Sequence, residues 1–156
     1  GNYEFENCTF ANYSSILINH QTPVARLSNY FAYLDEQGME QVLLADLNAT
    51  FRNCIIYGSL QKELDLDPSA DAAFNFTFDH CLIKVNEDID TTVTSFVDCL
   101  FNLDPLFLDP YDFDDYHLSE SSPCINAAVA NGINIDLDGQ LRSDGLPDIG
   151  CYEFKP

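Results

Sequence analysis

Short stretches of alternating apolar and polar residues run along most of the chain, and four of them repeat one template. Each copy has Phe, any residue, a turn-forming residue, Cys, a variable residue, and then an aromatic residue or Ile. The copies lie at residues 5–10, 51–56, 78–83 and 96–101. Such alternation is typical of strands, and no interval between the copies shows the 3.6-residue apolar period of a helix. The pattern therefore predicts an all-β chain built from a repeated strand unit.

Within each copy the pattern predicts two short strands that meet at a bend. In the first copy Phe5, Cys8 and Phe10 would point to one side, because side chains alternate along a strand and the bend resets the alternation. The third template position holds the bend residue, which is Asn7, Asn53, His80 or Asp98. These residue types adopt left-handed backbone angles more readily than other non-glycine residues. Each copy is therefore predicted to form a corner between two strands.

The spacing of the corners predicts how the strands assemble. Successive template cysteines are 46, 27 and 18 residues apart, and corners at such intervals are typical of stacked coils. The longest gap leaves room for one extra coil without the template. We predict a right-handed parallel β-helix with a C-terminal cap, because crossovers between parallel strands are almost always right-handed. Residues 1–156 would be one domain, with stacked coils in 1–103 and the last coils and cap in 104–156.

Two segments depart from the coils. Residues 15–47 contain two apolar stretches, 30–34 and 42–44, around the turn sequence Asp-Glu-Gln-Gly, which predicts a protruding hairpin. Residues 60–73 are acidic and are expected to form a loop. Loops that leave a solenoid often carry binding surfaces.

The cysteines are expected to be free thiols. Stacked coils would place equivalent side chains about 4.8 Å apart, whereas a disulfide brings its Cβ atoms to about 3.8 Å. The expected ladder is Cys8, Cys54, Cys81 and Cys99. Cys124 and Cys151 are either a pair across the last coil or buried thiols. The chain contains no C-x-x-C pair, so zinc is not expected.

Charge excludes several classes of partner. The chain has 26 acidic and six basic residues, for a formal charge of −20. This charge repels nucleic acid and anionic lipid surfaces, and no apolar run is long enough for a membrane helix. The acidity is either a solvated surface or an attraction for Ca²⁺, a cation that binds carboxylate oxygens.

Candidate catalytic groups are weak in the sequence. Glycoside hydrolysis uses paired carboxylates, and the close pairs are Asp65 with Asp67 and the group Asp112, Asp114 and Asp115. Pairs of this kind are expected by chance in so acidic a chain. We therefore assign no catalytic residue, and whether the protein is an enzyme stays open.

One segment resembles the start of a calcium loop. Asp136 and Asp138 precede a glycine, but the later ligand positions of an EF-hand hold no carboxylate. The alternative is an Asp-Gly turn in which Arg142 pairs with Asp148 or Glu153. Asp136 and Asp138 thus remain the candidate metal ligands, with Ca²⁺ as the candidate ion and no other cofactor expected.

The C-terminal third carries a series of motifs: DPLFLDP, DYHL, SPCINA, DLDGQLR and DIGCYEF. In this order they resemble the C-terminal end of bacterial right-handed β-helix repeat proteins, the pectate-lyase-like superfamily. The resemblance covers residues 96–154. Cys124 and Cys151 depart from it, since small residues are usual there, and Ala128 replaces an expected Gly. The resemblance implies an exported protein, in the extracellular space, the periplasm or at the cell surface.

Three functions remain open. The first is a non-catalytic structural or carbohydrate-contacting segment, with polysaccharide as the partner. The second is part of a polysaccharide lyase or glycoside hydrolase whose active groove lies mainly upstream, and the third is a surface adhesin or stalk. The apolar first coil, residues 1–14, has no cap. We expect another copy of the chain or missing upstream coils to cover it.

Overall fold

The computed structural model describes residues 1–15, 19–142 and 145–156. In these residues the chain forms strands and turns and no helix. The strands are β1 Asn2–Glu6, β2 Thr9–Asn12, β3 Ala25–Ser28, β4 Tyr30–Leu34, β5 Glu40–Leu44, β6 Leu47–Arg52, β7 Ile55–Gly58, β8 Leu64–Asp67, β9 Phe74–Asp79, β10 Leu82–Ile83, β11 Phe96–Val97, β12 Leu100–Phe101, β13 Phe107–Asp109 and β14 Asp115–Leu118.

Most strands belong to three parallel sheets. The first sheet has the order β1-β6-β9-β11, the second β2-β7-β10-β12, and the third pairs β3 with β8. Equivalent template positions are in register, so Phe5 pairs with Phe51, Phe51 with Phe78, and Phe78 with Phe96. The expected all-β chain with stacked template copies is confirmed at this level. We call each template copy, together with the chain that runs from it to the next copy, a repeat.

The predicted corners are confirmed. The bend residues have φ angles of 51°, 54°, 51° and 47°, all left-handed; they are Asn7, Asn53, His80 and Asp98. Backbone hydrogen bonds join successive corners, as from Asn7 N–H to the Arg52 carbonyl at 3.0 Å. The left-handed residue turns the chain from the first sheet into the second.

Aromatic stacking fills the space between the sheets. The template phenylalanines form a column in which Phe5 lies 4.8 Å from Phe51, and Phe78 lies 4.6 Å from Phe51 and 5.4 Å from Phe96. Phe78 is fully buried. Offset stacking of this kind adds about 0.5–1.5 kcal/mol per pair to the burial of apolar area.

All six cysteines are free. This confirms the expectation for the four ladder cysteines, and of the two alternatives for Cys124 and Cys151 the structure has the free thiols. Cys54 and Cys81 are fully buried, whereas Cys8 and Cys99, at the two ends of the ladder, are half-buried. Burial raises the pKa of the Cys81 thiol well above its usual range and the pKa of Cys124 to about 12. The thiols of Cys81 and Cys124 are therefore protonated and unreactive at neutral pH.

The longest gap in the repeat has room for an extra coil, but the structure places none there. β1 pairs directly with β6. The gap instead holds β3 and the predicted hairpin, which β4 and β5 form as an antiparallel pair. The hairpin follows Asn29, whose buried side chain donates to the carbonyls of Ser69 and Ala72 at 2.9 Å each. Asn29 therefore ties the base of the hairpin to the next repeat.

The acidic segment 60–73 is also more ordered than expected. It contains β8, which pairs in parallel with β3. Leu64 is fully buried, while Asp65 and Asp67 are partly exposed and lie beside Arg26. The sequence pattern did not predict β8, because the segment has only two inward apolar positions and its acids point outward.

The C-terminal segment packs on the outside of the second sheet. After β12 the described residues add no further parallel strand; β13 and β14 pair antiparallel with each other. Ile55 and Leu82, on the outer face of the second sheet, form a second core with Cys124 and Ile149. Hydrogen bonds attach this segment to the corner at Asn53, which receives the Gly150 N–H at 2.9 Å. The second sheet is therefore covered on both faces.

Candidate carbohydrate-binding cavity

A cavity of about 400 Å³ lies where the end of β2 meets the segment before and after β13. Its polar and aromatic lining consists of Tyr13, Asp104, Phe107, Asp109 and Tyr111, and we call it the tyrosine cavity. Tyr13 directly follows β2, so the first repeat supplies one wall. The C-terminal segment supplies the rest.

Aromatic rings surround Tyr13. The Tyr111 ring lies 5.1 Å away and the Phe107 ring 6.1 Å away, both edge-on, while Tyr116 and Tyr57 lie 6.2 and 6.4 Å away in tilted arrangements. Tyr13 is half-buried, but Tyr111 is 58% exposed. The cluster therefore has a fixed base and one accessible ring.

The backbone of the cavity wall is held by side chains on both sides. Leu106 has a left-handed φ of 53°, and its N–H donates to Asp104 Oδ1 at 2.9 Å. The Leu106 carbonyl accepts from Ser119 N–H at 2.9 Å, and the Pro105 carbonyl from Ser122 Oγ at 2.6 Å. Left-handed backbone in a non-glycine residue persists where its surroundings determine it, often at ligand sites.

The electrostatics of the cavity suit a ligand with hydroxyl groups. Burial, followed by the nearby Asp104 carboxylate, raises the pKa of Tyr13, so its phenol stays protonated. Asp109 accepts one backbone N–H, from Asp112 at 3.1 Å. A carboxylate offers about four acceptor positions, so Asp104 and Asp109 keep capacity for further donors. The lining contains no histidine, lysine or arginine.

Two of the acids at residues 112–115, Asp114 and Asp115, are hydrogen-bonded to neighbouring side chains. Asp115 Oδ1 lies 2.6 Å from His117 Nδ1, and Asp114 Oδ1 accepts from the Tyr116 hydroxyl at 3.2 Å. The hydrogen bonds to His117 hold the pKa of Asp115 below its usual range. The Asp114 and Asp115 carboxylates therefore have partners within the C-terminal segment.

The second acidic pair belongs to an ion-pair cluster on the third sheet. Asp65 lies 2.7 Å from Lys62 Nζ and 3.5 Å from Arg26 Nε. Asp67 accepts from Arg26 and, at 2.6 Å, from the Tyr30 hydroxyl. Hydrogen bonds from Tyr30 and Arg26 lower the pKa of Asp67. The pair is therefore charge-compensated.

The candidate calcium ligands have protein partners. Asp136 is buried and accepts backbone N–H groups from Asp138, Gln140 and Glu153 at 3.0, 2.7 and 2.9 Å. Asp138 Oδ2 lies 3.0 Å from His117 Nε2. A Ca²⁺ ion would have to displace these bonds, and calcium binding here stays a prediction.

The expected role of Arg142 is confirmed. Its Nη1 lies 3.0 Å from Glu153 Oε2, and both side chains are almost completely buried. Arg142 also donates to the backbone carbonyls of Asp148 and Gly150 at 3.1 and 2.7 Å. This buried pair fixes the last turns of the chain.

One polar cluster escaped the sequence analysis. Ser14 Oγ lies 3.3 Å from His20 Nδ1, and His20 Nε2 lies 3.4 Å from Glu63 Oε1. Glu63 is fully buried and accepts the N–H groups of Val24 and Leu60 at 3.0 and 2.8 Å. Its carboxylate therefore anchors the chain before β3. No sequence pattern links these residues, because Glu63 lies 43 residues from His20.

No protein-family model matches the chain, and no curated protein and no solved structure matches it significantly. In the part of the chain that the structure describes, no group of three or more His, Cys, Asp or Glu residues is arranged to hold a metal ion. Over the same residues, no helix is long and apolar enough to span a membrane. The function must therefore be inferred from the geometry, which defines an all-β protein with parallel sheets and an aromatic, carboxylate-lined cavity.

Proposed function

We propose that the chain is the C-terminal part of a right-handed parallel β-helix from an exported bacterial protein, similar to pectate-lyase-like repeat proteins. Its role is to contact a neutral polysaccharide through the tyrosine cavity, without catalysis. The in-register repeats and their left-handed corners support the β-helix. The order of the C-terminal motifs supports the relationship and, with it, export.

The composition of the tyrosine cavity carries the functional part of the proposal. An accessible aromatic ring, Tyr111, can pack against the apolar face of a sugar ring, while the Tyr13 phenol and the Asp104 carboxylate can exchange hydrogen bonds with its hydroxyl groups. The cavity volume of about 400 Å³ falls in the range of small-ligand sites. It is large enough for a short stretch of polysaccharide.

Charge favours a neutral ligand over an acidic one. Asp104 and Asp109 line the cavity without a basic side chain beside them, and the chain as a whole carries −20. A polyuronate would meet like charge at the site and at long range. A hydroxyl-rich, uncharged polysaccharide meets acceptors instead.

The lack of a histidine, lysine or arginine in the cavity lining disfavours a lyase, which requires a basic group to remove a proton. A hydrolase requires an acid with a base or nucleophile. In the cavity only Asp104 and Asp109 could supply that pair, and each already accepts a backbone N–H. The acidic pairs outside the cavity are engaged with Arg26, Lys62 and His117. The protein is therefore proposed to hold its polysaccharide unchanged.

Affinity electrophoresis and calorimetry with neutral polysaccharides, and with polygalacturonate for comparison, test the proposal. Tyr111→Ala should weaken binding about 10-fold, because loss of one stacked ring removes roughly 1 kcal/mol or more. Tyr33→Ala removes an exposed tyrosine from the hairpin and should leave binding unchanged. Equal losses in the two variants, preference for polygalacturonate, or cleavage of the ligand would contradict the proposal.

A further inference from the structure

Three aromatic rings of the tyrosine cavity stand at steep angles to one another. The planes of Tyr13 and Tyr111 are inclined by 82° with their ring centres 5.1 Å apart, and those of Tyr13 and Phe107 by 74° at 6.1 Å. All three residues belong to the lining. The face of an aromatic ring carries partial negative charge. A positively charged group in the cavity can therefore meet ring faces from more than one direction.

Two carboxylates add full negative charge to the same lining. Asp104 accepts the Leu106 N–H at 2.9 Å, and Asp109 accepts the Asp112 N–H at 3.1 Å. Among the residues that the structure describes, no histidine, lysine or arginine lines the cavity. The charge of the two carboxylates is therefore not compensated by a basic side chain of the lining, in a chain that carries −20 overall.

An ammonium group already lies on a ring of the same aromatic cluster. Lys84 Nζ is 4.6 Å from the centre of the Tyr57 ring and donates to the Gly58 carbonyl at 2.6 Å. The Tyr57 ring in turn lies 6.4 Å from that of Tyr13. Burial, followed by the Asp104 carboxylate, raises the pKa of both tyrosines, so their phenols stay neutral. The protein thus makes a cation–π contact beside the cavity, whose own lining lacks a cation.

The rest of the lining suits a methylated ammonium group better than a metal ion or a primary amine. Leu106, Leu108 and Pro110 supply apolar surface. A Ca²⁺ ion takes about six to eight oxygen ligands, which is more than two carboxylates offer. A primary ammonium is strongly hydrated and has three N–H donors that need acceptors. Methyl groups in their place need none, and they can pack against apolar and aromatic side chains.

We infer that the tyrosine cavity also binds a quaternary ammonium group of the kind that choline carries. The rings of Tyr13, Tyr111 and Phe107 contact its methyl groups, and aromatic cages are a common means of recognising such ions. Asp104 and Asp109 supply the opposite charge. The inference goes beyond the proposed function, because it shares the cavity but concerns a second class of ligand. Either can therefore fail without the other.

Titration calorimetry with choline and with its uncharged carbon isostere, dimethylbutanol, tests the inference. The two molecules have the same shape, and only choline carries a positive charge. We expect choline to bind at least about 10-fold more tightly, because the ring faces and the two carboxylates act on the charge. CaCl₂ at the ionic strength of a NaCl control should not displace choline.

Variants of the lining separate the contribution of the rings from that of the carboxylates. Tyr111→Ala should weaken choline binding about 10-fold, and Tyr111→Phe, which keeps the ring, should bind more tightly than Tyr111→Ala. Asp104→Asn keeps an acceptor for the Leu106 N–H and should weaken choline binding about 5-fold while the isostere binds as before. Glu36→Gln removes the same charge at the exposed turn of the hairpin and should leave both affinities unchanged.

Equal affinity for choline and its isostere, or no binding of choline, would overturn the inference. So would a loss in Glu36→Gln as large as that in Asp104→Asn, because overall charge would then explain the binding, or displacement of choline by CaCl₂. Circular dichroism of each variant shows whether a loss reflects unfolding. Polysaccharide titrations keep the two proposals apart. Polysaccharide binding without choline binding contradicts this inference alone, and choline binding without polysaccharide binding contradicts only the proposed function.

Discussion

Replacement of Asn53 tests how strongly the corner holds the C-terminal segment. Its buried amide donates to Asn7 Oδ1 at 2.9 Å and to the Val129 carbonyl at 2.8 Å, and it accepts from Val129 N–H at 3.0 Å. Each buried hydrogen bond contributes about 1 kcal/mol, so the three together contribute about 3 kcal/mol to the free energy of unfolding.

The backbone adds a second contribution. Asn53 has a φ of 54°, and a residue that has a Cβ atom but makes no local side-chain hydrogen bond costs about 1 kcal/mol in this conformation. Glycine avoids this cost. Asn53→Ala should therefore lower the free energy of unfolding by about 4 kcal/mol and Asn53→Gly by about 3 kcal/mol.

Equilibrium urea unfolding, followed by circular dichroism and tyrosine fluorescence, measures both values. Asp98 provides the control, because it occupies the equivalent corner with a left-handed φ of 47° and an exposed side chain. Asp98→Ala should be about 1 kcal/mol less stable than Asp98→Gly, with little further loss. If Asn53→Gly destabilises no more than Asp98→Gly, the buried hydrogen bonds contribute nothing and the reasoning fails. If Ala and Gly are equivalent at both corners, the backbone argument fails.

Two further predictions concern pH and thiols. Burial alone would lower the pKa of His117, but its hydrogen bonds to Asp138 and Asp115 outweigh burial and raise the pKa. Protonated His117 should therefore stabilise the folded protein. This contribution to the free energy of unfolding should be complete below the unfolded-state pKa of about 6.5 and should be lost as pH rises through the folded-state pKa. Urea unfolding of His117→Gln should lack this pH-dependent component, and an unchanged pH profile would contradict the assignment. Thiol titration should be slow for the native protein and should yield six groups after denaturation, since all six cysteines are free; fewer groups under non-reducing conditions would reveal a disulfide.

The local features of the fold could be predicted from sequence. Asn7 and its equivalents marked the corners because tolerance of left-handed φ is a property of the residue itself. The hairpin was predictable because its apolar stretches flank a turn sequence. β3 and β8 were not recognised as a pair, since Ala25 and Leu64 are 39 residues apart in sequence and the acids of β8 point outward.

The long-range features could not be predicted. Ile55 and Ile56 look alike in the sequence, yet Ile56 joins the core between the sheets and Ile55 the core beneath the C-terminal segment. The tyrosine cavity combines Tyr13 with Asp104 and Tyr111, and no periodicity connects segments so far apart. A site of this kind depends on how the C-terminal segment returns to the first repeat.

That return also changes how the protein should fold and unfold. Solenoids in which each unit touches only its neighbours can lose terminal units one at a time. Here Cys151 N–H donates to Thr9 Oγ1 at 3.1 Å, and Asn131 lies against Asn7, so the two chain ends are joined. Fraying of either end breaks contacts at the other, which should make unfolding a single cooperative transition. The same closure raises the contact order, so folding should be slow for a chain of this length.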